Sequence, residues 1–290
     1  MVLDASPPPA LLDVPGRVDG VLRRTIATGR AELAGLDPGA AEPADEIRRL
    51  LDAGGKRVRP GFCYWGYRAA GGLDAGAEDE PIVRAAAALE LLHTMALIHD
   101  DVMDGAAERR GVPTVQVRQA ARAAARGDRD ADHAGVSIAI LAGDLAAVLA
   151  DGLLLESGFG ADRLTAALTR YHRMRLEMAA GQFLDLAGAD VDPQRLAELK
   201  GGTYTVGWPL AIGAALAGAS EDVDAALARF AAPLGRAFQL ADDIRDGDAR
   251  PGVARDDVGR LVGEARRSLA SAPIDPVAAA ALDAMAAGIG

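Results

Sequence analysis

Residues Pro81–Asp104 read PIVRAAAALELLHTMALIHDDVMD, and whether they form helix or strand sets the architecture of the whole chain. Ala and Leu dominate, β-branched runs are rare, and apolar residues recur at three- and four-residue spacing. The stretch therefore predicts a helix over Pro81–Met103, apolar nearly all round (Leu89, Leu91, Leu92, Ile98) until its last turn, as suits a central helix of a large bundle. The same signature continues on both sides. It predicts helices over Pro15–Ala34, Ala44–Asp52, Pro60–Ala70, Thr114–Ala125, Val136–Leu155, Ala161–Ala179, Pro193–Lys200, Tyr204–Ala217, Glu221–Asp246 and Asp256–Leu269. Gly-, Pro- and Asp-rich pieces separate them, none long enough for a domain linker. The expected fold is all-α: a single-domain bundle of about ten or more helices over residues 1–290, with a frayed, disordered, Pro-rich start at Met1–Ala10.

Composition narrows the function. The chain has 290 residues, 50% of them apolar, and a formal net charge of -11, which argues against nucleic acid as a partner because phosphates would be repelled. Cys63 is the sole cysteine, so no internal disulfide forms and a reducing cytoplasm is expected. The N-terminus has neither a basic nor an apolar leader region, so no export signal is expected. The longest apolar region, Val136–Leu155, is broken by Asp144 and Asp151 and reads as a buried helix, with no transmembrane segment expected.

The helix over Pro81–Met103 ends in Asp100, Asp101 and Asp104. Asp100 and Asp104 lie one turn apart on one face, and Asp101 is about 100° round. Three carboxylates closing an apolar helix repel one another, and the macrodipole disfavours them at a C-terminal end. A hard cation with oxygen ligands removes these penalties; a solvated acidic helix end is the plainer alternative. FQLADDIRDGD (238–248) repeats the i, i+1, i+4 spacing with Asp242, Asp243 and Asp246, again after an apolar helical run. Two such triplets suggest helices facing across a cavity with metal between them. Magnesium commonly binds through one or two carboxylates plus substrate phosphates, so the expected ligand is a diphosphate.

AGGKRVRP (53–60) adds cations. Lys56 is one of only two lysines, with Lys200, among 31 basic residues. An ammonium is a compact point charge with rotatable donors, whereas guanidinium is a wide rigid fork, and a crowded phosphate pocket discriminates between them. Chance survival of two lysines is the alternative. The Arg118, Arg122, Arg126, Arg129 run reads as a solvated helix face. Asp144 reads as structural, Asp185 as a supporting residue, and His99 as a local packing or capping group.

Taken together, GGKRVRP, HTMALIHDDVMD followed by ERRGVPT (108–114), AGD (142–144), GQ (181–182) and FQLADDIRD resemble the trans-isoprenyl diphosphate synthases, or polyprenyl synthetases, in order and approximate spacing from about Ala44 to Asp246. The resemblance implies an all-helical fold around a central cavity, usually a homodimer, and a magnesium-dependent prenyltransferase joining isopentenyl diphosphate to an allylic diphosphate. It implies about three Mg2+ per site, held by Asp100, Asp101, Asp104, Asp242 and Asp243, with Asp246 assisting. Arg109 and Lys200 would meet the allylic diphosphate. Lys56, Arg59, His93 and Arg110 would hold isopentenyl diphosphate without metal, and Gln239 would sit near the developing cation.

The resemblance also implies ionisation, condensation and proton loss, with the released diphosphate as proton acceptor. Met95 and Ala96, on the helix before Asp100, stand where related enzymes making short products often carry aromatics. Their small or flexible side chains, and the lack of an insertion within DDVMD, point to a twenty-carbon product, geranylgeranyl diphosphate. Two features depart from the pattern. Gly201 follows Lys200 where the family usually has Ser or Thr. Beyond residue 247, GDARPGVARDDVGR lacks the expected lysines and the C-terminal part reads as shortened. Three rival readings stay open: a magnesium-dependent terpene cyclase, which would need neither GGKRVRP nor a second triplet; a metal phosphohydrolase on His99-Asp100, for which four histidines are poorly placed; and a weakly active or non-catalytic regulatory subunit.

Overall fold

The computed structural model describes residues 13–77, 80–188, 192, 198–246 and 255–289. The helices are α1 (Val14–Leu36), α2 (Glu42–Asp52), α3 (Val58–Ala69), α4 (Pro81–Met103), α5 (Val115–Ala125), α6 (Ala131–Leu155), α7 (Ala161–Leu186), α8 (Trp208–Ala217), α9 (Glu221–Asp246), α10 (Arg255–Leu269) and α11 (Pro276–Ala287). A π-helical segment, Glu198–Gly207, runs into α8. The only sheet among the described residues is the hairpin β1 (Glu108–Arg109) and β2 (Val112–Pro113), antiparallel with Glu108 opposite Pro113. The fold is thus all-α. The expected frayed start at Met1–Ala10, most of the helix expected over Pro193–Lys200, and the segment just after residue 247 lie outside the described residues.

Helix contacts divide the chain into two compact units: Pro15–Arg57 with Val83–Ser157, here the N-terminal unit, and chiefly Val58–Ile82 with the described residues from Gly158 onward, the C-terminal unit. In the N-terminal unit, α4 is the core helix. Ala85 to Leu92 and Ile98 are fully or almost fully buried apart from Glu90, which is also buried. Full burial of each large aliphatic side chain contributes about 1.5–3 kcal/mol. Here α2 and α5 are stapled by charge. Arg118 donates from Nε to Glu46 Oε2 at 2.8 Å and pairs with it again through Nη2, Arg122 pairs with Glu42, and Gln119 donates to both glutamates at 2.8 Å. Arg118 is therefore not on a solvated face, whereas Arg122 stays 47% exposed, as expected. Glu46 is completely buried and needs these donors, and the sequence reading saw only the arginines' own helix.

A second correction concerns α6. Its Ala139, Ala142, Ala146 and Ala150 are buried, but Ile140, Leu141, Val148 and Leu155 are 44, 59, 65 and 54% exposed. The helix expected to be buried presents one apolar face outward. By length and composition, both α4 and α6 pass as candidate spans, with 67% and 33% of their apolar windows buried.

In the C-terminal unit, α3 and α8 cross almost backbone to backbone. A Cβ on Gly66 would strike the Leu210 carbonyl, and one on Gly213 the Cys63 carbonyl. Phe62, Cys63 and Tyr64 are completely buried beside this crossing, and burial pushes the Cys63 thiol up to about 12, so it is a packing group. Phe230, Leu234 and Ala237 of α9 are buried, as are Val258, Leu261, Val262 and Ala265 of α10. The Asp275 side chain accepts from the Ala278 amide at 2.9 Å and starts α11, a helix absent from the sequence reading.

Candidate active site

Two cationic turns are tied together in the N-terminal unit. The loop after α2 passes through Gly54 at φ 102° and Arg57 at φ 50°, and the hairpin turns through Arg110 at φ 55° and Gly111 at φ 75°. Left-handed backbone at an arginine costs about 1–3 kcal/mol and persists only where the surroundings hold it. Here they do. Arg110 donates through Nη1 to the Gly54 carbonyl and, at 3.4 Å, to the Leu50 carbonyl. Arg57, 6% exposed, donates to Asp19 Oδ1 at 2.7 Å, Glu90 Oε1 at 2.9 Å and the Leu51 carbonyl at 3.2 Å. Beside it, Lys56 is exposed and has no hydrogen-bond or ion-pair partner among the described residues. His93, three residues after Glu90, is half-buried on α4, as are Met95 and Ala96.

The hairpin also reaches the first aspartate triplet. Arg109 donates Nε to Asp101 Oδ1 at 2.8 Å, places Nη2 2.6 Å from the same oxygen, and lies 3.5 Å from Asp100 Oδ2. Asp101 is 2% exposed, Asp100 half-buried and Asp104 exposed. Burial pushes the Asp101 carboxyl above its ordinary value and the Asp104 charge adds to this, while Arg109 pulls the other way. Gln116 fastens the turn, donating to the Asp101 and Ala106 carbonyls at 2.8 Å each. It was missed in the sequence, where a single glutamine at the start of a helix carries no signal. His99 Nε2 lies 3.1 Å from the Ile140 carbonyl and 3.9 Å from the exposed Asp144, a packing group as expected.

The remaining candidates belong to the C-terminal unit. Arg59 on α3 donates Nη2 to Thr205 Oγ1 at 2.9 Å and stacks its guanidinium 4.5 Å from the Tyr204 ring centroid. Its buried Nε–H has no acceptor among the described residues. The π-helical turn that presents Thr205 also carries Lys200, whose side chain lies outside the described residues. Wide π turns of this kind often mark functional positions. Gly202 and Gly235 let this segment touch α9: a Cβ on Gly235 would stand 2.6 Å from the Gly202 carbonyl oxygen. On α9, Gln239 donates Nε2 to Asp243 Oδ1 at 2.7 Å, and Asp242 pairs with Arg245 at 2.7 Å. Asp242 and Asp243 are half-buried, the Asp246 side chain lies outside the described residues, and Asp185 is exposed at the end of α7.

Among the described residues no three His, Cys, Asp or Glu side chains converge to hold a metal by themselves. The donors present are nonetheless hard carboxylate oxygens, in part exposed at Asp100 and Asp104 and spoken for by Arg109 at Asp101. That set fits magnesium arriving with substrate phosphates, which needs only one or two carboxylates per ion.

An all-α fold with these motifs defines an isoprenyl diphosphate synthase architecture. The family model for polyprenyl synthetase matches residues 42–263, and the chain belongs to that family. It is 31% identical over 214 residues to a geranylgeranyl pyrophosphate synthase of Geoglobus acetivorans, covering 72% of this chain and 61% of that one. It is 35% identical over 222 residues to a geranylgeranyl diphosphate synthase of Mycobacterium tuberculosis, covering 74% and 57%. The chain thus spans about three fifths of the length of these relatives. A crystal structure of geranylgeranyl pyrophosphate synthase from Corynebacterium glutamicum, complexed with isoprenyl diphosphate and magnesium, superposes with a TM-score of 0.84 at 26% identity, covering 95% of this chain and 98% of that one.

Proposed function

We propose that the chain is a cytoplasmic trans-prenyltransferase that condenses isopentenyl diphosphate with an allylic diphosphate to give geranylgeranyl diphosphate. The allylic carbon–oxygen bond breaks, the isopentenyl double bond forms the new carbon–carbon bond, and a proton leaves. One observation carries the reading. The loop bearing Lys56 is tied to the hairpin bearing Arg110, and the same hairpin is tied through Arg109 to Asp100 and Asp101. Cations and carboxylates suited to a magnesium diphosphate are thereby held in one compact unit.

Asp100, Asp101 and Asp104, with Asp242, Asp243 and Asp246, would hold magnesium, expected at three ions per site. When bound, the metal neutralises charge developing on the departing diphosphate. Arg109 and Lys200 bind that same group. Lys56, Arg59, His93 and Arg110 hold isopentenyl diphosphate without metal; the Nε–H of Arg59 gains an acceptor there, which offsets the cost of leaving it buried and unbonded. Fixing the nucleophile in this way makes a bimolecular step effectively intramolecular. Gln239, bonded to Asp243, is oriented beside the developing cation. Purified protein given magnesium, labelled isopentenyl diphosphate and an allylic diphosphate should release a twenty-carbon prenyl diphosphate. Hydrocarbon formed from the allylic diphosphate alone would instead establish a cyclase, and turnover only after adding a partner chain would establish a regulatory subunit.

Met95 and Ala96 set the length of the product in this reading. Met95→Phe should shift the product toward shorter chains in a chromatographic length assay, and an unchanged distribution would remove Met95 from the ruler. Homodimerisation is assigned to the outward face of α6, because Leu141, Val148 and Leu155 repeat at seven-residue spacing there. The double variant Leu141→Glu, Val148→Glu should elute as a monomer in light-scattering chromatography; a dimer that survives it would exclude this face.

A further inference from the structure

The C-terminal unit contains a cavity of about 580 Å3 bounded by α7, the π-helical segment, α8 and α9. Its α9 wall runs from Asp224 to Arg236, about 18 Å at 1.5 Å per residue. Small side chains at Ala228, Ala231, Ala232 and Gly235 keep it open, and Trp208 lines it as well. Its polar lining is almost entirely satisfied. Arg170 is neutralised by both Asp224 oxygens, and Glu177 accepts from the Trp208 indole at 2.8 Å and from Arg173 at 3.1 Å. Arg236 is the exception. It is half-buried at one end of that wall, with no ion-pair or hydrogen-bond partner among the described residues.

A long space with small walls, paired polar groups and one guanidinium without a partner among the described residues selects a particular ligand chemistry. A sugar or nucleotide would ask for several hydrogen bonds, and those groups here are already engaged. An amphiphile asks for one cation and an apolar trough. We infer that this cavity is a second isoprenoid site, which takes a prenyl diphosphate with its head on Arg236 and its chain along α9 past Trp208. None of the residues assigned to the diphosphate-binding motifs lines it. The choice of an isoprenoid over another anionic amphiphile rests on the function proposed above.

Trp208 supplies the readout, because the chain has only two tryptophans. In a Trp65→Phe background with chelator present, geranylgeranyl diphosphate should quench Trp208 fluorescence saturably. Arg236→Gln should weaken this about ten- to a hundredfold, as expected for loss of a charge-assisted contact. Ala228→Phe should remove it by filling the trough, and both variants should retain magnesium-dependent turnover. Absence of saturable quenching overturns the inference. So does quenching that neither variant changes, which would place the ligand elsewhere, and so does equal affinity for palmitate, which would make the site indifferent to isoprenoids. Turnover without quenching would fail this inference and leave the proposed function standing; quenching without turnover would do the reverse.

Discussion

Under the proposed function, Asp243→Asn is expected to lower kcat about a thousandfold, the several kcal/mol that metal-held charge stabilisation supplies, while the protein stays folded. The substitution is chosen for what it keeps. Gln239 donates to Asp243 Oδ1, and an asparagine carbonyl still accepts that bond, though without the charge. Asp243 is only half-buried, so removing its charge leaves no stranded partner in the core. Steady-state turnover at saturating substrates and magnesium, with a thermal melt of each protein, separates the two effects. A kcat within about tenfold of wild type would take Asp243 out of the metal set. A melt that falls in step with kcat would make its role structural.

Arg57→Met is expected to destabilise the protein by about 3–5 kcal/mol, because it leaves Glu90 charged and alone in the core of the N-terminal unit. At roughly 2–4 °C per kcal/mol, Tm should fall by about 10 °C. Asp19, the other partner, is 36% exposed at its side chain and contributes little to that loss. Arg57→Met with Glu90→Leu should recover most of the fall, since an apolar pair replaces a buried ionic one without a desolvation penalty. Arg57→Lys should not recover it, because Arg57 meets Asp19, Glu90 and the Leu51 carbonyl through three separate nitrogens, Nε, Nη1 and Nη2, a spread that a single ammonium nitrogen does not span. Under the proposed function, KM for isopentenyl diphosphate should rise more than KM for the allylic substrate, because the loop that carries Lys56 loses its anchor. A single variant that melts with the wild type would show that the pair contributes no net stability.

The two helices that carry the aspartate triplets were legible to the residue. Pro81–Met103 and Glu221–Asp246 each begin at a strong start signal, a proline at the first position or acids in the first turn, and run on unbroken apolar spacing. The segment around Lys200 was not legible as it is. A pattern search tuned to 3.6 residues per turn reads Tyr204–Ala217 as one helix, whereas the chain takes a wide π turn up to Gly207. α11 escaped because an alanine-rich run has little contrast between its faces. Among the candidate site residues, the identities of the cations and acids were written in the motifs. Their partners were not: Arg57 meets groups 38 and 33 positions away, and Arg118 meets one 72 positions away. Local sequence holds no record of such pairings. The outward face of α6 shows the same limit, because apolar composition says that a helix buries something without saying how much of it stays within its own chain.

The bare crossing of α3 and α8 bears on how this scaffold could be diversified. With no side chain between Gly66 and the Leu210 carbonyl, or between Gly213 and the Cys63 carbonyl, there are no rotamers there to exchange for others. Even one added methyl must push two helices apart, and α3 would carry Arg59 away from Thr205 as it moved. Directed evolution should therefore leave Gly66 and Gly213 unchanged; under the proposed function, tolerated changes in product length should accumulate around Met95 and Ala96 instead.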